Sequence, residues 1–317
     1  MSEVFDVLIL GGGPAGLAVA SGIVRQLHTA VVFNNNKFRN APASHMHNVP
    51  GWDHQDPSQF GAKAKADILQ RYNTVQFRDA AVTSVRKLDE RRFEATDATG
   101  AKYVGRKVVI ASGVTDVFPQ IPGYDELWGK AIFHCLFCHG YEERGASSAG
   151  VLATGLLSSP MFAPIIARMA GRLASVVNVY TDGDAAAGEQ ISGLLRSTKK
   201  FHFDHRKIAK LAKDPDVKGE AGVLVTFEDG SVAKEAFLAH VPNPELNGSF
   251  AKELGVEISP QGHINAMPPF FNTSVPGVFA AGDCATALKS VPTATMMGSC
   301  VAGGLAHALQ AEDDVEE

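Results

Sequence analysis

The chain opens on an apolar run, Val4 to Leu10, then a glycine-rich turn, a mostly apolar stretch to about Leu27 and a second apolar run from Thr29 to Phe33. Short apolar runs bounded by turn residues read as buried strands, and the stretch between them has helical length. Residues 1–40 therefore predict a βαβ unit. Val82 to Phe93, broken by Arg91-Arg92, reads as antiparallel hairpin material, and Lys107 to Ile110 as a short buried strand ending at Ala111-Ser112-Gly113. The plan recurs with a strand at Gly150–Ala153, a helix near Phe162–Met169 and a strand at Val176–Tyr180, and a last strand spans Gly277–Ala281. Two proline-bearing stretches, 116–123 and 241–244, read as connectors, because the residue before proline is pushed to extended backbone. Two connectors imply an insertion. Residues 1–114 with 243–317 are expected to form one discontinuous domain and residues 115–242 a second. The fold class is α/β, with two Rossmann-like domains. The acidic end, 312–317, is expected to fray.

Composition narrows the function. The chain has 317 residues, enough for two domains, and 45% hydrophobic with 20% charged residues is ordinary for a folded protein. Net charge is 29 − 34 = −5, which provides no basic footprint for nucleic acid or an anionic membrane surface. Glu3 and Asp6 stand where a signal peptide would carry basic residues, so a cytoplasmic location is expected. Residues 147–167 lack charge but hold Pro160, Pro164 and four serines, so no membrane span is expected. Four cysteines are too few for a disulfide scaffold.

Gly11-Gly12-Gly13-Pro14-Ala15-Gly16 satisfies G-x-G-x-x-G between a strand and a helix. The first glycine permits the tight turn, the second lets backbone approach a pyrophosphate, and the third allows close helix-to-strand packing. Dinucleotide binding follows. The acidic residue usual at the end of the second strand is replaced by Asn34-Asn35-Asn36, and Asn34 still offers one neutral acceptor to a ribose.

Cys135-Leu136-Phe137-Cys138 is a C-x-x-C flanked by His134 and His139. Thiols at that spacing can close a small-ring disulfide, and an adjacent imidazole, with its ordinary pKa near 6.5, exchanges protons with them at neutral pH without a special environment. A zinc site would need a second ligand pair a dozen or more residues away, so no metal centre is expected. Covalent haem at C-x-x-C-H belongs with export, and two buried structural thiols fit poorly with the flanking histidines.

Thr273 to Asp283 is a strand ending in Gly-Asp. With the GGGPAG turn and the Ala-Ser-Gly linker in the same order, the chain resembles the low-molecular-weight thioredoxin reductase type of flavoprotein disulfide reductase. That resemblance implies FAD, a homodimer, Cys138 as the flavin-facing thiol and Cys135 as the sulfur that exchanges with substrate. His139 stands where the family carries an acid-base Asp.

The second nucleotide turn of such reductases departs from pattern. Val151 to Pro160 holds a single glycine, and Thr181-Asp182-Gly183-Asp184 is acidic where arginines would meet the 2′-phosphate of NADPH. Losing two Arg–phosphate contacts costs roughly 3 to 6 kcal/mol. Within the superfamily the chain is most similar to the gliotoxin and holomycin dithiol oxidases, through Arg39 to Pro42, His45 to Gly51, His134 to Tyr141 and Lys289 to Pro292. The resemblance implies oxidation of a small-molecule dithiol with molecular oxygen as acceptor, and it carries over Arg39, His45, Ala111, Asp283 and Val291 as FAD contacts. The rivals are a thioredoxin reductase fed by NADPH or ferredoxin, and a non-catalytic flavin protein. Cys284 and Cys300 are expected in the core, and His202, His205, His240 and His263 fall in no motif.

Overall fold

The computed structural model describes residues 4–196 and 199–316. The chain forms two compact units. The first comprises the described residues of Met1–Ala41, Ser58–Thr115 and Pro244–Glu317; the second comprises Pro42–Pro57 and Asp116–Asn243.

In the first unit, Val4–Leu10 pairs in parallel with Ala30–Phe33 on one side and Lys102–Ile110 on the other. Val75–Arg78 extends the sheet beyond Ala30–Phe33, and Val278–Ala280 pairs with the end of Lys102–Ile110. The hairpin Val82–Lys87 and Phe93–Asp97 completes seven strands as an antiparallel flap. Most positions of the two central strands are buried and apolar, Phe5 and Val7–Leu10 in one and Ala30–Phe33 in the other, as parallel sheets covered on both faces require. The first helix, Pro14–Ile23, tightens to a 3₁₀ turn through Gln26 and stops at the expected Leu27, in left-handed backbone at φ 64°. It packs on the long final helix, Val291–Glu316. Small residues set that approach, because a Cβ on Gly298 would lie 2.3 Å from the Ala15 carbonyl oxygen.

The acidic tail does not fray among the described residues. It is the last turn of the final helix, where Glu312 pairs with Lys107 and Arg106, and Asp313 lies 2.7 Å from Arg106. Lys107 is buried, and a buried ammonium demands a counter-charge, which outweighs mutual repulsion in the tail. Glu317 lies outside the described residues.

The second unit is built on a five-stranded parallel sheet in the order Phe201–Asp204, Ala174–Tyr180, Ala146–Leu152, Leu238–Ala239, Ile132–Phe133. An antiparallel meander of Ile208–Lys213, Val223–Phe227 and Val232–Glu235 packs its apolar face on Tyr124, Trp128 and Tyr180. The expected connectors 116–123 and 241–244 each overlap a short strand, Val114–Val117 and Asn243–Leu246, and these two strands pair with each other.

The main departure from the expected boundaries is Pro42–Pro57, which groups with the second unit rather than the first. No described helix is long and apolar enough to cross a membrane.

Candidate active site

The glycine turn of the first unit is a backbone cradle. A Cβ on Gly11, at φ 126°, would lie 2.2 Å from the Ala111 carbonyl oxygen, and one on Gly16 would lie 1.9 Å from that of Gly11. A Cβ on Gly12 would meet Asn34 at 2.7 Å, whereas one on Gly13 would meet nothing within 4 Å. Gly11, Gly12 and Gly16 therefore close the turn, and Gly13 leaves open space at the start of the Pro14–Ile23 helix. Unbonded helix N–H groups facing such space are a ready anion site.

Asn34 backs this turn. Its Oδ1 accepts from the Asn36 amide at 3.0 Å and its Nδ2 donates to Asn36 Oδ1 at 2.7 Å. Gly282, at φ 84°, brings backbone against Ala15, and Asp283 follows at once. Arg39 Nη1 donates to Asp283 Oδ2 at 3.2 Å, so two candidate cofactor residues far apart in sequence meet beside the turn. Ala111 is buried at the same edge, and Val291 begins the final helix.

In the second unit Cys135 and Cys138 form a disulfide. The Cys138 and His139 amides both donate to the Cys135 carbonyl, at 3.1 and 3.0 Å, and curl the pair into one turn. Gly140, at φ 98°, ends it against Leu173. His139 stacks on Phe133 at 5.3 Å, and His134 on Trp128 at 5.6 Å. Phe137, between the cysteines, is 75% exposed, which leaves a face of the turn open. Burial, helped by nearby His47, lowers the His139 pKa below the ordinary imidazole range, so its environment is special after all.

The relocated loop 42–57 lies against this turn within the same unit. Met46, between His45 and His47, is buried and bridges Gln55 through its backbone. His45 stacks on His54 at 4.2 Å, and His47 sits 6.4 Å from the His139 ring, edge to face. In the sequence His47 is read only as part of the His45–Gly51 stretch and His54 is assigned no role, because an irregular loop has no periodicity to place its side chains. Burial also raises the Glu143 pKa, aided by Glu142 and Glu220.

The second would-be nucleotide turn is not a turn. In the first unit three residues, Gly11–Gly13, join strand to helix. In the second, residues 153–162 intervene between Leu152 and the helix Ala163–Leu173, and they include a 3₁₀ turn at Gly155–Ser158. The acidic run after Tyr180 is structural: Asp184 caps the helix Ala185–Ser192, and Asp182 accepts from the Ile208 amide at 2.8 Å and pairs with Lys207 at 2.7 Å. Cys284 is fully buried as expected, but Cys300 is partly exposed on the final helix, where it lies 3.9 Å from Met296 Sδ. His240 is a core residue, hydrogen-bonded to Tyr124 at 2.7 Å.

Residues 5–298 match the model of the family described as pyridine nucleotide-disulphide oxidoreductase. The chain belongs to that family. It is 42% identical over 310 residues to the thioredoxin reductase aclD of Aspergillus oryzae, covering 97% of each chain. It is 41% identical over 311 residues to the thioredoxin reductase sirT of Leptosphaeria maculans, covering 96% of this chain and 94% of that one. Among solved structures, the oxidoreductase from Agrobacterium tumefaciens matches with a TM-score of 0.83 and 29% identity, over 97% of this chain and 99% of that one. The protein is a flavin-dependent oxidoreductase of this family, with an α/β, thioredoxin-reductase-like fold. The first-unit cradle fits such a cofactor: Gly13 leaves room for a pyrophosphate at a helix N-terminus, beside the Arg39–Asp283 ion pair.

Proposed function

We propose that the protein is an FAD-dependent dithiol oxidase, closing a small-molecule dithiol into an intramolecular disulfide with molecular oxygen as acceptor and hydrogen peroxide as by-product. The observation that carries this reading is the loss of the second nucleotide turn in the unit that bears the redox disulfide. On this reading residues 115–242 are a degenerate pyridine-nucleotide domain, electrons enter through sulfur, and the enzyme works as a cytoplasmic homodimer.

A substrate thiol gives its proton to His139, and the thiolate attacks Cys135 Sγ. The Cys135–Cys138 bond breaks and Cys138 leaves as thiolate. The second substrate thiol gives its proton to the Cys138 thiolate and attacks the substrate sulfur of the mixed disulfide, forming the product disulfide and expelling Cys135, which takes the proton held on His139. Two electrons and two protons have moved from the substrate to the cysteine pair. Bound FAD, held by Gly11–Gly16, Arg39 and Asp283 with Ala111 and Val291 alongside, would supply the two-electron acceptor that oxygen reoxidises.

The relatives named thioredoxin reductases favour a second reading, in which NADPH or another donor drives electrons the opposite way. Anaerobic mixing separates the two. A small dithiol should bleach the yellow protein and NADPH should not, and oxygen uptake in air should require the dithiol. Rapid bleaching by NADPH would overturn the proposal.

A further inference from the structure

His47, His54 and Glu142 each offer one donor atom within 4.8 Å of the other two. His47 Nε2 lies 3.6 Å from Glu142 Oε1, while its Nδ1 lies 3.1 Å from Asp53 Oδ1. A carboxylate on Nδ1 keeps the proton there and leaves the Nε2 lone pair directed at Glu142. Carboxylate–histidine pairs present imidazole to metals in this way.

His54 is placed by backbone. Its amide donates to the Met46 carbonyl at 2.9 Å, and its ring centroid stands 5.2 Å from that of His47. Ligands about 2.1 Å from a tetrahedral ion stand about 3.4 Å apart. His47 and Glu142 already have that spacing, and His54 and Glu142, both exposed, can close the remaining gap by side-chain rotation.

We infer that His47 Nε2, His54 and Glu142 form a binding site for a divalent transition metal of the zinc class, with Asp53 orienting His47 and a fourth position open to water or a thiolate. Two imidazoles and one carboxylate suit zinc, whereas calcium and magnesium take oxygen ligands. The sequence pattern points to no metal centre, because the donors come from an irregular loop and a distant turn that only folding joins. No cysteine sulfur belongs to the set, and the inference is independent of the dithiol reading.

The test is Zn²⁺ uptake by the flavin-loaded, disulfide-intact full chain, stripped of metal and alkylated at Cys300, measured by equilibrium dialysis with elemental analysis. One zinc ion per chain is expected. His54→Gln and Glu142→Gln should each weaken binding at least about tenfold, and Asp53→Asn about tenfold, with far-UV dichroism and flavin content unchanged. The Cys135→Ser/Cys138→Ser double variant should still bind. No uptake by the wild type, uptake unaltered in both glutamine variants, or uptake lost in the double serine variant would each overturn the site.

Discussion

Arg39 and Asp283, 244 positions apart, form an ion pair 3.2 Å long with both side chains under a fifth exposed. Two half-buried charges in contact hold each other in place more firmly than a surface pair does. Because Asp283 follows the glycine that packs on Ala15, the pair anchors the edge of the glycine cradle. Asp283→Ala should therefore purify with less than one flavin per chain. The loss of a charged hydrogen bond, about 1.5 to 3 kcal/mol, corresponds to roughly 10- to 150-fold weaker retention, read from the flavin-to-protein absorbance ratio.

The glycine turn separates binding from folding. Gly13→Ala adds a methyl group where nothing stands within 4 Å, so the thermal stability of the flavin-free protein should be nearly unchanged while flavin content falls. Gly16→Ala would place Cβ 1.9 Å from the Gly11 carbonyl oxygen and should cost the fold itself. Equal melting temperatures for the two variants would contradict this division.

His139 is the imidazole next to the Cys135–Cys138 disulfide, and on the proposed mechanism its removal should slow proton transfer without disturbing the cofactor. His139→Gln is expected to lower the rate of thiol–disulfide exchange by about 10² to 10⁴ while flavin content stays normal. Stopped-flow reduction by a dithiol measures the rate directly.

His240 is buried between Tyr124 and Thr154, and burial pushes its pKa down to about 4. In the unfolded chain the same imidazole titrates near 6.5. Between those values the unfolded state binds a proton that the folded state refuses, so stability falls as pH drops through the window. Between pH 7.5 and pH 5 this residue should remove about 2 kcal/mol from the unfolding free energy. His240→Asn should lose that much less over the same range, which urea titrations at the two pH values would reveal.

Cys284 donates its S–H to the Ile110 and Ala281 carbonyls, and burial raises its pKa to about 11. Only about one molecule in a thousand carries the thiolate at pH 8. Iodoacetamide should therefore modify the oxidised native protein at Cys300 alone, and both thiols in denaturant, as peptide mass spectrometry would show.

The strand, glycine turn and helix at the N-terminus were legible because they are local: an apolar run, a tight turn and a helix lie together in Val4–Ile23. The C-x-x-C announced its disulfide for the same reason, since three residues of separation suffice to bring two thiols together. The acidic 181–184 stretch was legible as chemistry, but its caps and its pairing with Lys207 were not. Local patterns are set by backbone sterics and hydrophobic period, which act over a few residues at a time. Partners separated by tens to hundreds of residues are chosen instead by burial and charge compensation. Folding alone carried loop 42–57 into the second unit and set His47 between Asp53 and Glu142. It also gave buried Lys107 its counter-charge from the C-terminal turn. The sequence by itself supplied a candidate cofactor cradle and a closely spaced cysteine pair; the tertiary structure decided which histidines, carboxylates and helix ends stand around them.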